Sequence, residues 1–419
     1  MSKEAYAVIG ANWGDEGKGL TVDAIASRLV DGGREVTVVR SNGGAQAGHG
    51  VERPEGGRHV FHHIGSGSFV AAATHLSQFF IAHPMVMQKE IGDLENLDVR
   101  PYRITIDPRA AVTTPWDMAI NQALEIKRAG ERHGSCGLGI GETIERQEKG
   151  WRLCAADLWH KDLREKLENI RDEWVPRRLE ILGINPEKSP LAEILTGRAE
   201  LISAFLADCR GFTQTVEILP DAELISRDVV LFEGAQGLQL DMDFGVFPHV
   251  TRAHTGIRNM LAIAKEADIQ TIKATYVTRA YATRHGAGPL PNEAVGAAGP
   301  GKIDWADIND PTNVSNDWQG GIREAPLDLD LLKETLKKDV SLADGTDIQV
   351  RAGIGVTCLD QIPKAATFFR NGQEYQVVTK SIAAELETRT GLPIVLTASG
   401  PTRKTTNVLW PDLALRRQV

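Results

Sequence analysis

Residues 5–19 read AYAVIGANWGDEGKG, an apolar run that stops at a glycine-rich segment. Apolar residues then recur at helical spacing over residues 20–30, so the sequence predicts a strand, a loop and a helix in that order. Residues 35–40, EVTVVR, predict a second strand, which also ends in a glycine-rich segment at residues 41–50. Two strands that each deliver a glycine loop are typical of an open parallel sheet that binds its ligand beyond the carboxyl ends of its strands.

The remaining pattern predicts one large α/β domain over residues 1–419, with a mostly parallel central sheet, helices on both faces and an architecture related to P-loop GTPases. Further strands of the same sheet are predicted over residues 78–82, 229–232, 272–277 and 394–397, and another strand is predicted over residues 355–359, just before Asp360. A helix is predicted from Thr114 as N-cap, through Pro115, to Gly130. Residues 155–210 predict a helical insertion or subdomain within the domain, and residues 294–316 predict a surface loop.

Composition excludes several classes of protein. The 419 residues are 42% hydrophobic and 25% charged, which is ordinary for a globular protein and excludes disordered and membrane-spanning chains. The net charge of −9 argues against a nucleic-acid partner. Four widely spaced cysteines and a start without an apolar signal segment predict a cytoplasmic protein.

The first glycine loop has the outline of a phosphate cradle. Its backbone N–H groups, the helix that follows it and the ammonium of Lys18 could all face an anion. It departs from the usual P-loop, because Asn12 stands where the first glycine belongs and Gly19 where the hydroxyl belongs. The structural alternative is a glycine-rich turn that caps the helix.

The second loop brings a histidine, His49, to the same predicted edge of the sheet as Asp15. A carboxylate and an imidazole beside a phosphate cradle can act as a general base with a charge-stabilising or proton-donating partner. A histidine in a loop can also be purely structural, and we interpret His62 and His63, in a strand-like run, as packing or surface groups.

These loops and several later blocks resemble the adenylosuccinate synthetase family, and they occur in the family's order along nearly the whole chain. The blocks are residues 13–19 (WGDEGKG), 43–49 (GGAQAGH), 137–141 (GLGIG), 232–237 (FEGAQG), 247–251 (FPHVT), 283–289 (TRHGAGP), 359–360 (LD) and 399–401 (SGP).

The resemblance implies a ligase that phosphorylates the 6-oxo group of a purine nucleotide, IMP, with GTP and then displaces the phosphate with L-aspartate. It implies that Asp15 removes the N1 proton, that His49 stabilises or protonates the transferring phosphoryl group, and that Lys18 holds phosphates. It further implies Mg²⁺ liganded by Asp15 and the carbonyl of Gly48, and a homodimer.

The resemblance also implies a set of nucleotide- and phosphate-binding positions. Asp360 would accept hydrogen bonds from guanine, and Gln236 and Thr251 would hold the monophosphate. The full set is Gly14, Glu16, Gly17, Gly19, Gln46, Ser135, Cys136, Gln236, Thr251, His285, Asp360, Ser399, Gly400 and Pro401.

Three departures from the family pattern bear on the substrates. The arginine-rich loop that grips aspartate is replaced by residues 316–325, which keep only Arg323, so the amine donor stays open, with Thr312 and Asn313 as helpers. Cys358 stands in place of a lysine stacked on guanine, which leaves ATP or dATP possible. The arginine that reaches into the partner subunit has no clean match, and the candidates are Arg146, Lys149 and Arg152.

Two alternatives to the IMP ligase follow. The second loop resembles that of divergent phage-type relatives that act on deoxyguanylate, so the substrate could be dGMP or GMP, with ATP, dATP or GTP, to give 2-aminoadenylosuccinate. Those relatives carry serine where this chain keeps Asp15, and the carboxylate favours hypoxanthine. The other alternative is a non-catalytic nucleotide-binding protein; a generic P-loop GTPase fits less well, because no Walker-B pattern accompanies the first loop.

Overall fold

A computed structural model describes residues 3–129, 135–197, 199–293, 321–362 and 364–413. The predicted loop at residues 294–316 therefore lies outside the described residues. The described strands are β1 (Glu4–Gly10), β2 (Val36–Arg40), β3 (His49–Glu52), β4 (Arg58–Phe61), β5 (Ala73–Leu76), β6 (Ile81–Ala82), β7 (Ile104–Ile106), β8 (Ala111–Val112), β9 (Glu217–Ile218), β10 (Val229–Glu233), β11 (Thr271–Arg279), β12 (Tyr281–His285), β13 (Ile322–Asp328), β14 (Gln349–Thr357), β15 (Ala365–Arg370), β16 (Gln373–Val378), β17 (Ile394–Ala398) and β18 (Thr406–Val408).

The described helices are distributed along the chain between these strands. They are α1 (Lys18–Asp31), α2 (Pro84–Glu95), α3 (Pro115–Arg128), α4 (Ile140–Glu148), α5 (Leu163–Asn169), α6 (Val175–Leu182), α7 (Ala192–Leu195), α8 (Ala199–Thr215), α9 (Arg258–Glu266), α10 (Leu329–Ser341) and α11 (Ile382–Thr390). None of the helices in the described ranges is both long and apolar enough to cross a membrane.

Within the described residues, the centre of the molecule is a ten-stranded sheet in the order β18-β17-β14-β11-β1-β10-β2-β5-β7-β9. Every neighbouring pair in it is parallel except β17 and β18. The predicted fold class is confirmed. A second, four-stranded sheet in the order β12-β13-β15-β16 lies beyond the end of β11.

The central strand β1 is buried on both faces. Ala5, Ala7 and Ile9 join one apolar core with α9 and α10, whereas Tyr6 and Val8 join another core with α1. Because side chains of a strand alternate between the two faces, a strand covered by helices on both sides must be apolar throughout. This explains the uninterrupted apolar run that marks residues 5–9.

The strand predicted over residues 78–82 is wrong as a member of the central sheet. β5 occupies that place, the chain turns at residues 77–80, and Ile81 and Ala82 pair with β8 in a separate two-stranded sheet. The apolar side chains of this run, including Phe80, are buried in a third core beside the sheet. An apolar run shows burial, and periodicity alone does not show which element is buried.

The helix predicted from Thr114 is present as α3. The Thr114 side chain accepts from the backbone N–H of Asp117, and the Asp117 carboxylate accepts from the N–H of Thr114, so the helix begins with a reciprocal capping box. Helices α5 to α8 occupy the segment predicted to be helical and pack on the third core. That this segment forms a subdomain stays a prediction.

The last described residues cross the amino-terminal side of the sheet. The Trp410 indole N–H donates to Thr275 at 3.0 Å. The Asp412 carboxylate accepts from Lys273 at 2.8 Å and from the Tyr6 hydroxyl. Since Tyr6 and Lys273 are register partners on β1 and β11, this segment ties the two central strands together.

Candidate active site

The first glycine loop, residues 11–17, is organised from within by Glu16. One oxygen of its buried carboxylate accepts from the N–H groups of Asn12 at 3.1 Å and Gly14 at 2.8 Å. The other oxygen lies 2.8 Å from the Nζ of Lys18, which is also buried. The residue between them, Gly17, has a φ of 84°, in the left-handed region where glycine is favoured. The loop therefore presents Lys18 at the start of α1 with its charge already balanced by Glu16.

Asp15 lies at the outer side of this loop and reaches solvent. Its φ is 61°, a left-handed conformation that is uncommon for a residue other than glycine. Its carbonyl accepts from the Nε of Arg279 at 2.6 Å, and its Oδ2 lies 3.3 Å from the Nε2 of His285. The side chain of Asp15 is 29% exposed, so the carboxylate is accessible to a ligand.

The block after β10 presses against the first loop. A Cβ on Gly10 would lie 2.5 Å from the carbonyl oxygen of Gln236, closer than real Cβ contacts allow. Gln236 has a φ of 58°, and its Oε1 is buried without a hydrogen-bond partner among the described residues. A buried amide oxygen without a partner is a group that a ligand could satisfy.

His49 stands at the start of β3 and is held by Glu233. Its Nδ1 lies 2.6 Å from the Oε1 of Glu233, the last residue of β10. The Glu233 carboxylate also accepts from the backbone N–H of Ser66 at 3.0 Å and from the Ser66 hydroxyl. The Nη1 of Arg40, at the end of β2, lies 3.6 Å from the same Oε1. The side chains of Arg40 and Glu233 are fully buried.

These contacts set the protonation of the group. Burial, together with the nearby charge of Arg40, lowers the pKa of His49 to about 4. Burial alone would raise the pKa of Glu233, but the charge of Arg40 and the hydrogen bonds from His49 and Ser66 outweigh it and lower that pKa to about 2. His49 is therefore neutral at pH 7, and its Nδ1–H donates a hydrogen bond to the ionised carboxylate of Glu233. Its Nε2, buried and without a hydrogen-bond partner in the described ranges, presents a lone pair.

The two loops meet at the start of α1. A Cβ on Gly19 would lie 2.9 Å from the carbonyl oxygen of Gly50 and 3.2 Å from the Cβ of His49. Only a glycine at this point lets the helix approach β3 so closely. The structure thus brings the loop of Asp15 and Lys18 against the strand of His49.

Several predicted nucleotide-binding residues lie on segments around these loops. The Oε1 of Gln46 is buried without a hydrogen-bond partner among the residues described. The hydroxyl of Ser135 donates to Asn121 at 2.9 Å, and burial raises the pKa of Cys136, which follows it. Thr251 is half-buried, and its N–H donates to Leu240.

The predicted base-binding residues follow two neighbouring strands. β14 ends at Thr357, Cys358 takes a left-handed φ of 55°, and the exposed Asp360 lies in the short 3-10 turn after it. Ser399, Gly400 and Pro401 follow β17, the parallel neighbour of β14. The carboxyl ends of adjacent parallel strands share one edge of a sheet, so these residues lie on the side where the two glycine loops also lie.

Arg323 is occupied by its own chain. Its guanidinium lies 2.7 Å from each carboxylate oxygen of Glu293, and it donates to the carbonyls of Gly286 at 2.7 Å and Gly288 at 3.1 Å. A substrate carboxylate at Arg323 would therefore compete with Glu293. Thr312 and Asn313 lie outside the described residues.

Arg146 is not available to a partner subunit. Its side chain is fully buried, and its guanidinium binds the carboxylate of Asp117, with 2.9 Å between Nη2 and Oδ2. Lys149 and Arg152 are exposed. Of the three candidates, Arg146 is therefore wrong, since its guanidinium is buried and already paired within its own chain. The local sequence gives no sign of this pairing, because Asp117 lies on a different helix.

Sequence reasoning missed Arg40, Ser66 and Glu233. A signal was present, since Glu233 stands inside a recognised block and Arg40 is a charge that ends an otherwise apolar strand. Their common role depends on β10 lying between β1 and β2, which local pattern does not reveal.

A family model described as adenylosuccinate synthetase matches residues 7–305. Adenylosuccinate synthetases from two strains of Clostridium botulinum, Alaska E43 and Eklund 17B, are each 34% identical over 310 residues, 72% of this chain and 67% of the relative. The solved structure of fully ligated adenylosuccinate synthetase from Plasmodium falciparum is similar with a TM-score of 0.72 at 19% identity, over 96% of this chain and 99% of that one.

A second similar structure is the cyanophage S-2L succinoaminodeoxyadenylate synthetase PurZ bound to dGMP and dATP. Its TM-score is 0.61 at 14% identity, over 98% of this chain and 96% of that one. These two structures support the fold, and the family assignment rests on the sequence matches. This chain belongs to the adenylosuccinate synthetase family of carbon–nitrogen ligases.

Proposed function

We propose that this protein joins L-aspartate to IMP with GTP as phosphate donor, giving adenylosuccinate, GDP and phosphate in the cytoplasm. The observation that supports this most directly is the close approach of two segments: the glycine loop that carries the accessible Asp15 leads into α1, and the start of α1 packs against the strand that carries the buried imidazole of His49. The matched relatives are named for this product.

The chemistry follows from the weakness of a purine oxygen as a leaving group. Asp15 takes the N1 proton, which concentrates negative charge on the 6-oxygen, and this oxygen attacks the γ-phosphorus of GTP. The imidazole of His49, on the second loop, would take up a proton at its buried Nε2 and would then stabilise the negative charge of the transferring phosphoryl group. The amine of aspartate then attacks C6, and inorganic phosphate leaves.

Electrostatic stabilisation of the phosphate charges contributes most to this phosphoryl transfer. Lys18 and the loop N–H groups hold the phosphate oxygens at the start of α1. The carboxylate of Asp15 and the backbone carbonyl of Gly48 are oxygen donors, which Mg²⁺ prefers, and the exposure of Asp15 leaves it reachable by a cation. When bound there, Mg²⁺ would neutralise charge on the triphosphate.

A second candidate substrate is dGMP or GMP, with ATP, dATP or GTP as donor. It is favoured by Cys358, which replaces a base-stacking lysine, and by the similarity to the cyanophage enzyme bound to dGMP and dATP. Asp15 argues for IMP, because a carboxylate at that place crowds a purine 2-amino group.

We also propose a homodimer in which the partner subunit contributes a cation to the nucleotide site. Lys149 and Arg152, exposed at the end of α4 and just after it, are the residues in place for this role.

The test is a matrix of assays in which IMP, GMP and dGMP are each combined with GTP, ATP or dATP, with aspartate and Mg²⁺ present. With IMP and GTP we expect the wild type to release phosphate and to shift the ultraviolet absorbance of the nucleotide. The variant Asp15→Asn, which lacks the proposed general base, should show no turnover. Turnover with dGMP alone would replace IMP by the second candidate. Tight nucleotide binding without turnover in any combination would make the protein a non-catalytic nucleotide binder.

A further inference from the structure

We propose that the imidazole of His285 is a positioning residue for Asp15. It fixes the orientation of the carboxylate that takes the N1 proton, and so it acts through Asp15 and not on the nucleotide. The inference rests on the proposed function, and it gives a separate role to the side chain of His285, a residue that the resemblance places at the nucleotide.

The contact comes from the alternation of β12. Thr283 and His285 are two residues apart, so their side chains lie on the same face of the strand. The Thr283 hydroxyl donates to the carbonyl of Gly14 at 2.9 Å, and the Nε2 of His285 lies 3.3 Å from the Oδ2 of Asp15. One face of one strand therefore contacts two successive residues of the first glycine loop.

Asp15 is a residue that needs such support. Its left-handed φ of 61° is unfavourable for a residue with a Cβ. Its backbone is held by the 2.6 Å contact from Arg279, at the end of β11. The carboxylate itself is partly exposed, and a short exposed side chain samples several rotamers. The imidazole of His285 selects the rotamer of Asp15 in which Oδ2 faces β12, and this leaves Oδ1 of Asp15 free to take the N1 proton of the purine.

The imidazole is itself on a rigid support. His285 pairs with Ile322, and the next pair joins Arg284 to Arg323. Arg323 then binds the carbonyls of Gly286 and Gly288, directly after His285, and its charge is balanced by Glu293. This gives Arg323 a place in the site that does not need a substrate carboxylate, because it fixes the turn from which His285 projects.

The first experiment separates positioning from bulk. His285→Leu removes the ring nitrogens, and His285→Gln restores an amide nitrogen near the place of Nε2. With IMP and GTP we expect His285→Leu to lower kcat about 10- to 100-fold, the range that a misplaced catalytic group can cost, while the KM for IMP changes less than about threefold. His285→Gln should recover kcat to within about fivefold of the wild type, a range set by the same positioning cost.

The matched control is His160, an exposed histidine whose Nδ1 lies 3.2 Å from Asp162. His160→Leu should leave both constants unchanged. A kcat for His285→Leu equal to that of the wild type, or a His285→Gln variant as impaired as His285→Leu, would overturn the proposal.

The second experiment needs no turnover. In protein labelled with ¹⁵N at histidine, the ring signals of His285, assigned by their loss in His285→Gln, should shift in Asp15→Asn and not in Asp162→Asn. Unchanged signals in Asp15→Asn would show that the contact is absent and would overturn the proposal. If the wild type turns over no purine nucleotide, the proposed function fails, and the ring signals still decide whether His285 holds Asp15.

Discussion

Glu233 is the residue on which the buried half of the site depends. Its carboxylate, the guanidinium of Arg40 and the imidazole of His49 lie together away from water. A buried ion costs several kcal/mol unless it is paired and hydrogen-bonded, and Glu233 meets both conditions. Because the ionised carboxylate accepts a hydrogen bond from Nδ1–H of His49, it also fixes the tautomer in which Nε2 carries no proton.

The variant Glu233→Gln keeps the shape of this side chain and removes its charge. We expect kcat to fall about 100-fold or more, the usual range for a disturbed acid–base group, because the imidazole loses its fixed tautomer. Equilibrium binding of the monophosphate should stay within a few-fold of the wild type. Steady-state kinetics and calorimetry measure the two effects.

The control for this variant is Asp221→Asn. Asp221 is another fully buried carboxylate on a histidine, 2.8 Å from the Nε2 of His75, and it belongs to no predicted site. If both variants lose activity to the same extent, the loss reflects damage to folding that any buried histidine–carboxylate pair would cause. That outcome would contradict a specific role of Glu233 in orienting His49.

The residues that could be predicted from the sequence are those whose types are informative in a glycine loop. Asp15, Lys18 and His49 are of this kind, because a carboxylate, an ammonium and an imidazole have few structural reasons to follow a strand end. Arg40 and Glu233 belong to neighbouring strands that are far apart in the chain. Their contact is decided by the sheet order, so local pattern could not predict it.

Between elements, Asp339 joins α10 to the start of α9. Its carboxylate accepts from the backbone N–H of Ile257, at 3.0 Å, and from the hydroxyl of Tyr276 on β11 at 2.7 Å. Burial raises the pKa of Asp339 to about 7, although these hydrogen bonds act in the opposite direction. The folded protein therefore keeps a proton that the unfolded chain, with its ordinary carboxyl pKa near 4, has already lost.

This shift predicts a pH dependence of stability with a definite sign. Raising the pH from about 4 to about 7 favours the unfolded chain, because ionisation costs the folded state more. In urea unfolding at pH 5, 6, 7 and 8, the free energy of unfolding of the wild type should fall relative to that of Asp339→Asn. Asp344→Asn, an exposed change just beyond α10, should follow the wild type. A constant difference between wild type and Asp339→Asn across this range would contradict the shifted pKa.

Elements were predictable where local chemistry marks both their type and their end. α3 is an example, since Thr114, Pro115 and Asp117 form a capping pattern that few other structures need. The error at residues 78–82 has the opposite cause. There the sequence records burial, and a buried turn followed by a two-residue strand leaves the same apolar signature as one longer strand.

At the scale of the whole molecule, the similarity in fold to known structures extends further along the chain than the match to the family model. The family model matches residues 7–305, yet β14, β17 and β18 complete the sheet further along and the structural similarity covers 96% of the chain. The carboxyl-terminal part therefore shares the fold of the similar structure beyond the residues that the family model matches. Fold can persist where sequence similarity fades, because many different apolar sequences can fill the same core.

Trp410 tests how much the last described segment contributes. It is 6% exposed and bonds Thr275 on a central strand, so Trp410→Ala should lower the free energy of unfolding by about 3–5 kcal/mol. Chemical denaturation measures this change. Trp159→Ala removes a tryptophan that is 42% exposed and should cost much less. Equal losses in the free energy of unfolding from the two variants would contradict the stabilising role of the segment that contains Trp410.

The proposed homodimer makes a second prediction at this scale. Light scattering after gel filtration should give a mass of twice 45.7 kDa under assay conditions. Changing Lys149 and Arg152 together to alanine should then lower nucleotide affinity in the dimer. A monomeric enzyme at full specific activity would rule out a site shared between subunits.

The place of β10 between β1 and β2 has a consequence for biosynthesis. The ribosome completes both glycine loops within the first fifty residues, but the strand that separates them, with the carboxylate that orients His49, follows about 180 residues later. A nascent chain that pairs β1 directly with β2 would hold a non-native sheet that has to open before β10 can enter. Each chain therefore becomes competent for catalysis late in its synthesis, and truncated translation products that end before Glu233 would be inert.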